Sequence, residues 1–184
     1  MLNKIKTPLI YIFLIVSLGF TIRYFMSSQV QAASSQSTQA LYTTHFSDLN
    51  GHQQTLTQYK GKFIVLNFWA TWCEPCREEM PELSALHESY LSKNVVVLGL
   101  AIDDLTAIAE FQKQTPVKYP LFAADMQGME IATNLGNNKG VLPYTVIIKP
   151  DGSVHRTYFG RVSKALLEQS LAPLLKKINP ASTQ

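Results

Sequence analysis

The sequence predicts an α/β domain: a central mixed sheet flanked by helices, with a short β extension at its N-terminal end. Three observations carry this. First, Phe63-Ile64-Val65-Leu66-Asn67-Phe68 and the run from Val95 to Ala101 are almost wholly apolar and rich in β-branched residues. Runs of that length and content belong to strands buried on both faces. Second, the apolar residues between the two runs switch to helical spacing: Met80, Leu83, Leu86, Tyr90 and Leu91 share one face, with charges on the other. Third, Thr145 to Ile148 is followed by the turn Lys149-Pro150-Asp151-Gly152 and a partner, Ser153 to Phe159. Strands alternating with helices imply parallel central strands, and the closing hairpin adds an antiparallel edge.

The chain has 184 residues, enough for one domain and an appendage. Lys4 and Lys6 precede an apolar run from Pro8 to Phe20, a positive n-region followed by an h-region. Residues 1–26 therefore read as a signal anchor or a signal peptide. Lysines ahead of the run favour a cytoplasmic N-terminus and export of the remainder of the chain. The run is shorter than the ~20 residues of a full transmembrane helix. Thr21 to Met26 extend it, with Arg23 snorkelling to the interface, and the uncleaved anchor is the preferred reading. Val30-Gln31-Ala32 resembles a small-residue cleavage site, so the cleaved form stays open. Residues 27–40 are rich in Ser, Gln, Thr and Ala and read as a flexible tether. The folded domain spans 41–178, and 179–184 read as a disordered tail.

Within the domain, Leu41 to Phe46 reads as a short strand, Asp48-Leu49-Asn50-Gly51 as a turn, and Gln53 to Leu56 as the returning strand. Lys60-Gly61-Lys62 is a second turn before the first buried strand. After Val95 to Ala101, Asp103 or Asp104 can cap a helix reaching about Gln114. Tyr119 to Ala123 is strand-like, Met126 to Asn134 helical, and Gly136 to Gly140 a loop. Ser163 can cap a last helix whose apolar face is Leu167, Leu171, Leu174, Leu175 and Ile178, kinked or shortened by Pro173. The formal net charge is only +3 and the basic residues are scattered, so nothing points to nucleic acid. His45, His52, His87 and His155 show no ligand spacing and read as surface residues.

Both cysteines and both tryptophans fall within Trp69-Ala70-Thr71-Trp72-Cys73-Glu74-Pro75-Cys76. A staple, half of a metal site and a redox pair are the candidates. A disulfide closing so small a loop constrains the unfolded chain little. Zinc needs four ligands and the chain has two cysteines. Copper relay calls for a distant histidine partner and wider cysteine spacing. For redox chemistry the placement is apt: Cys73 stands just past a strand, at the carboxyl edge where sites form in open α/β sheets, and at a helix start. Unpaired N–H groups and the positive end of the helix dipole favour thiolate there. Cys73 is then the nucleophile, and Cys76, one turn further in, resolves the mixed disulfide. Pro75 fixes the helix start at no hydrogen-bond cost.

Asn67 to Arg77 resembles the active-site strand, loop and helix of the thioredoxin superfamily. It is most similar to the TlpA/ResA-like thiol–disulfide oxidoreductases, which are exported and membrane-tethered. The likeness extends over Leu41 to Ile178, including Asp48-Leu49-Asn50-Gly51, Tyr59-Lys60-Gly61-Lys62, Leu142-Pro143-Tyr144-Thr145 and Lys149-Pro150-Asp151-Gly152. It implies a thioredoxin-like fold and a Cys73–Cys76 redox disulfide with no other cofactor. It implies a cis Leu142–Pro143 bond facing the cysteines, with backbone that pairs with an extended client segment and Leu142 setting partner preference. Asn67 stands where cytoplasmic thioredoxins carry a titrating aspartate. The family pattern puts a glutamate one turn beyond the cysteines, which matches Glu79, a proton acceptor for Cys76. Glu78 is then the solvent-facing neighbour. Glu74 opposes thiolate at Cys73 and tunes the pair toward a reductase. Trp72 offers clients an apolar platform, Trp69 packs inside, and Pro81 matches a structural helix proline.

The implied function is an extracytoplasmic reductase of protein disulfides, re-reduced by a transmembrane electron-donor protein and acting as a monomer. Its clients would include apocytochromes in cytochrome c maturation, although Asn137-Asn138-Lys139-Gly140-Val141-Leu142 departs from the Gly-rich motif of the specialised maturation members. A dithiol oxidase, a non-catalytic metal-binding module and a peroxidase are the rivals.

Overall fold

The structure is a computed structural model; it describes residues 16–23 and 38–178. The chain divides into two units, Met1–Gln36 and Ser37–Gln184. In the first, residues 16–23 form a helix whose residues are all exposed. Among the described residues no helix is long and apolar enough to cross a membrane. The rest of the 1–26 segment, residues 27–37 and the 179–184 tail lie outside the described residues.

The second unit is built on a seven-stranded sheet in the order β2-β1-β5-β4-β3-β6-β7. The strands are β1 (Phe46–Asp48), β2 (Gln53–Gln54), β3 (Phe63–Trp69), β4 (Val95–Ala101), β5 (Leu121–Ala123), β6 (Tyr144–Ile148) and β7 (Val154–Phe159). β3 runs parallel to β4, and β4 to β5; β6 joins β3 antiparallel and β7 completes the hairpin. The β1–β2 hairpin attaches antiparallel to β5. The helices are α1 (38–43), α2 (Glu74–Tyr90), α3 (Leu105–Gln114), α4 (Asp125–Asn134) and α5 (Lys164–Ile178).

Every residue of β3 and β4 is buried, as two apolar runs in mid-sheet require. Alternation sorts them. Phe63, Val65 and Trp69 join Val95, Val97 and Ala101 under Met80, Leu83 and Leu86 of α2, Ile108 of α3, and Leu167 and Leu171 of α5. Ile64, Leu66, Phe68, Val96, Leu98 and Leu100 pack on the other face with Leu41 and Tyr42 of α1 and Ile131 and Ala132 of α4. Each fully buried leucine or methionine of this kind contributes roughly 2 kcal/mol. Asn67, one residue in sequence from Phe68, takes the first face and so lies beneath α2.

Three expectations need correction. Leu41 to Thr43 are helical, and the helix takes in 38–40, which read as tether. Thr38, Leu41 and Tyr42 are buried; their spacing of three and four is a one-turn apolar stripe too short to stand out in a Ser/Gln/Thr/Ala stretch. α5 is not shortened at Pro173 but runs through it. Pro173 and Gln169, whose carbonyl loses its partner, are both exposed, so water can take the lost hydrogen bond.

The third correction is His87, which is buried, with Nδ1 accepting a hydrogen bond from the Val97 N–H at 3.1 Å. β5 pairs with β4 only at Gly99 to Ala101, so Val97 has an open edge that the imidazole closes. Burial holds the His87 pKa below its ordinary value. His87→Ala leaves that buried N–H bare and should cost about 1–3 kcal/mol in urea unfolding. A loss below ~0.5 kcal/mol, the range of an ordinary surface substitution, would show that water replaces the ring.

Candidate active site

β3 ends at Trp69, and the chain turns through Ala70-Thr71-Trp72 into α2. Cys73 is the N-cap of that helix, in extended conformation, and Pro75 lies in its first turn. The turn is held at two points. Cys73 N–H donates to the Ala70 carbonyl at 3.2 Å, and the Thr71 N–H donates to Asp103 Oδ2 at 2.6 Å. Asp103 comes from the β4–α3 loop, which parallel pairing brings to the same sheet edge. The adjacent Asp104 caps α3, its Oδ1 accepting from Ala107 N–H at 2.8 Å. The pair Asp103-Asp104 thus has two jobs, and only the cap was legible from sequence.

Cys73 and Cys76 form a disulfide, with Cα atoms 5.3 Å apart. Cys73 keeps 6% exposure and Cys76 none. The outer sulfur is therefore the one a partner can reach. The first-turn peptides of α2 point their N–H groups toward Cys73, which favours a thiolate once the bond is opened. Glu74 and Pro75 are exposed beside it. Trp72 is 70% exposed, an apolar surface adjoining Cys73, whereas Trp69 is buried and packs on Phe111 with ring centroids 5.2 Å apart.

Glu79 lies one turn beyond Cys76 and is fully buried. Its Oε1 accepts from Asn67 Nδ2 at 2.7 Å and its Oε2 from the Val162 N–H at 2.8 Å. The Asn67 amide also donates to Thr145 Oγ1 at 3.0 Å, its antiparallel partner across β3 and β6. Burial pushes the Glu79 pKa up to about 7, against the opposing pull of the two hydrogen bonds and Arg161. Glu78 is exposed and pairs with Arg161 at 2.7 Å, and Glu82 accepts from the Lys164 N–H at 3.0 Å. The segment from Arg161 to Lys164 thus grips α2 through three glutamates. Sequence separations above eighty hid these contacts; the acidic stripe at positions 78, 79 and 82 was the only signal.

The Leu142–Pro143 peptide is cis. Tyr144 pairs with Phe68, so Leu142 and Pro143 precede β6 at the edge where β3 delivers Cys73. Leu142 packs on the apolar cluster that contains both cysteines. The Pro143 carbonyl accepts from the Gly160 N–H at 2.9 Å. Pro81 lies inside α2 without ending it. Among the described residues no cluster of three or more His, Cys, Asp or Glu is placed to hold a metal.

Residues 36–157 match the AhpC/TSA family. The thiol–disulfide oxidoreductase ResA of Bacillus thuringiensis subsp. konkukian is 34% identical over 94% of this chain and 94% of its own. That of Bacillus cereus is 39% identical over 72% and 73%. The chain belongs to the ResA-type thiol–disulfide oxidoreductases. Among solved structures, a thiol:disulfide interchange protein DsbE of Chlorobium tepidum is similar with a TM-score of 0.63 and 25% identity, covering 71% of this chain and 92% of that one. This ResA-type protein is accordingly an enzyme of thiol–disulfide exchange with a thioredoxin-like fold, and disulfide-bearing proteins are its clients.

Proposed function

We propose that this enzyme is an extracytoplasmic reductase of protein disulfides, tethered to the membrane by its N-terminal segment. The observation that carries the reading is the buried Glu79, whose pKa of about 7 suits a group that accepts and returns protons beside an inner thiol. Glu74 next to Cys73, and the absence of a histidine between the cysteines, favour the donor direction.

In the reduced enzyme the Cys73 thiolate attacks one sulfur of a client disulfide. The client S–S bond breaks and its other sulfur leaves as a thiolate. Cys76, its proton passed to Glu79, then attacks the Cys73 sulfur. The Cys73–Cys76 bond forms and the second client sulfur departs. Two electrons have moved from enzyme to client, and the two departing client thiolates take up protons from Glu79 and from water. Trp72 covers one side of the exchange, while Leu142 offers backbone to the client segment and the cis Pro143 beside it sets the course of the chain there. Glu74 and Pro75 tune the pair. A transmembrane electron-donor protein restores the dithiol, no further cofactor takes part, and the enzyme works as a monomer. Apocytochromes, whose haem-attaching thiols must stay reduced, are a fitting client class.

Acid quench of intact cells followed by mass-shifting maleimide tests the direction. The pair is expected mostly reduced, since a donor feeds it in an oxidising compartment. A mostly oxidised pair would instead favour the dithiol oxidase.

A further inference from the structure

Asn137 is fully buried, although its neighbours Gly136, Asn138, Lys139 and Gly140 are exposed. Its side chain holds both main-chain groups of a single residue. Nδ2 donates to the Val141 carbonyl at 2.9 Å, and the Val141 N–H donates to Oδ1 at 3.2 Å. An amide offers one donor and one acceptor side by side, so it takes the place a neighbouring strand would occupy. The Asn137 main chain is anchored too: its N–H donates to the Ala132 carbonyl of α4 at 2.8 Å, and its carbonyl accepts from Gly140 at 3.1 Å. α4 packs on the sheet through Ile131 and Ala132, so the clamp is tied to the core.

The consequence falls on the next residue. Val141 is committed to Asn137, and the Pro143 carbonyl to Gly160. Between them the Leu142 N–H and carbonyl make no hydrogen bond among the described residues, at the sheet edge that carries Cys73. Phe159, 49% exposed, is packed against Tyr144 at 4.9 Å, the residue that comes after Pro143.

We infer that Asn137 is a positioning residue for client docking: it fixes Val141 so that Leu142 presents a ready-made strand edge to an extended client segment beside Cys73. A loop held in advance loses little backbone freedom when the client adds its strand. The inference rests on exchange with protein clients as proposed above.

Pre-reduced enzyme is mixed with an extended disulfide-bonded peptide, or with hydroxyethyl disulfide, and single-turnover rates are followed against concentration. Asn137→Ala is expected to raise the half-saturating peptide concentration about 10-fold while leaving the plateau within about 2-fold, as lost preorganisation predicts. The rate with hydroxyethyl disulfide, which has no backbone to pair, stays within about 2-fold. Asn137→Asp keeps the acceptor for Val141 N–H and loses the donor, so its shift falls between the two. A purely structural role would lower the melting temperature without this split. Parallel loss with both disulfides, or no change with either, overturns the inference. Running oxidised enzyme against the dithiol peptide separates it from the reductase reading: an oxidase would show the same Asn137 dependence in that direction.

Discussion

Serine in place of Cys73 is expected to remove exchange altogether, whereas serine in place of Cys76 should halt it half-way. Cys73 is the only sulfur of the pair with any exposure, and it sits where the α2 N-terminus favours the anion. A serine hydroxyl has no comparable anion near neutral pH. The rate with a disulfide peptide should fall by on the order of a thousand-fold or more. Cys76→Ser leaves the attacking sulfur in place and removes the resolving one. The mixed disulfide then accumulates and appears on non-reducing gels as a mass increase of one client per enzyme. If Cys73→Ser traps the client and Cys76→Ser does not, the two roles are reversed.

Glu79 carries the second large effect, and it can be separated into stability and rate. The folded pKa is about 7 against an ordinary value of 4.5, so the native state holds a proton that the unfolded chain has already released between those values. Stability is therefore fully present below about pH 4.5 and is lost as pH rises toward 7. At about 1.4 kcal/mol per unit, the loss is roughly 3 kcal/mol. His87, held below its ordinary pKa, acts oppositely and weakens the fold as pH falls through its unfolded pKa of about 6.5. Comparison with Glu79→Gln isolates the first effect. In urea unfolding of the oxidised proteins at about pH 5 and about pH 8, on either side of the shifted pKa, wild type should lose stability relative to the variant as pH rises. A difference that does not change with pH would mean that Glu79 ionises as freely as a surface carboxylate.

The same variant reports on chemistry. If Glu79 takes the Cys76 proton, Glu79→Gln should slow resolution of the mixed disulfide by roughly a hundred-fold, the lower range of general-base effects. The inflection near pH 7 should vanish with it. Attack by Cys73 on the client should be little changed. A variant that resolves at the wild-type rate on both sides of that inflection would assign the proton to water.

The buried strands, the helix after Cys73 and the closing hairpin were legible because each is local. An apolar run of seven residues, an apolar stripe repeating every three or four, and a Pro-Asp-Gly turn are all read from neighbours in the chain. The cysteine pair is local as well, since two thiols three positions apart at a helix start define their own chemistry. α1 was missed because one helical turn carries too few residues to reveal its period. His87 was misread because its partner is the open edge of a strand, which exists only once β5 stops short of Val97.

What the sequence by itself determined is thus the architecture and the cysteine pair at the start of a helix, both set by spacing along the chain. What only the tertiary structure decided is the burial of Glu79 and the way the chain is held just before Leu142. Whether Glu79 is a solvated helix residue or a buried acid depends on Asn67, Thr145 and Val162, the last of these eighty-three residues away. Whether Val141, just before Leu142, is held in place depends on Asn137 turning inward. Burial and long-range hydrogen bonding shift a proton's free energy by kilocalories, and neither has any signature in the residues next door.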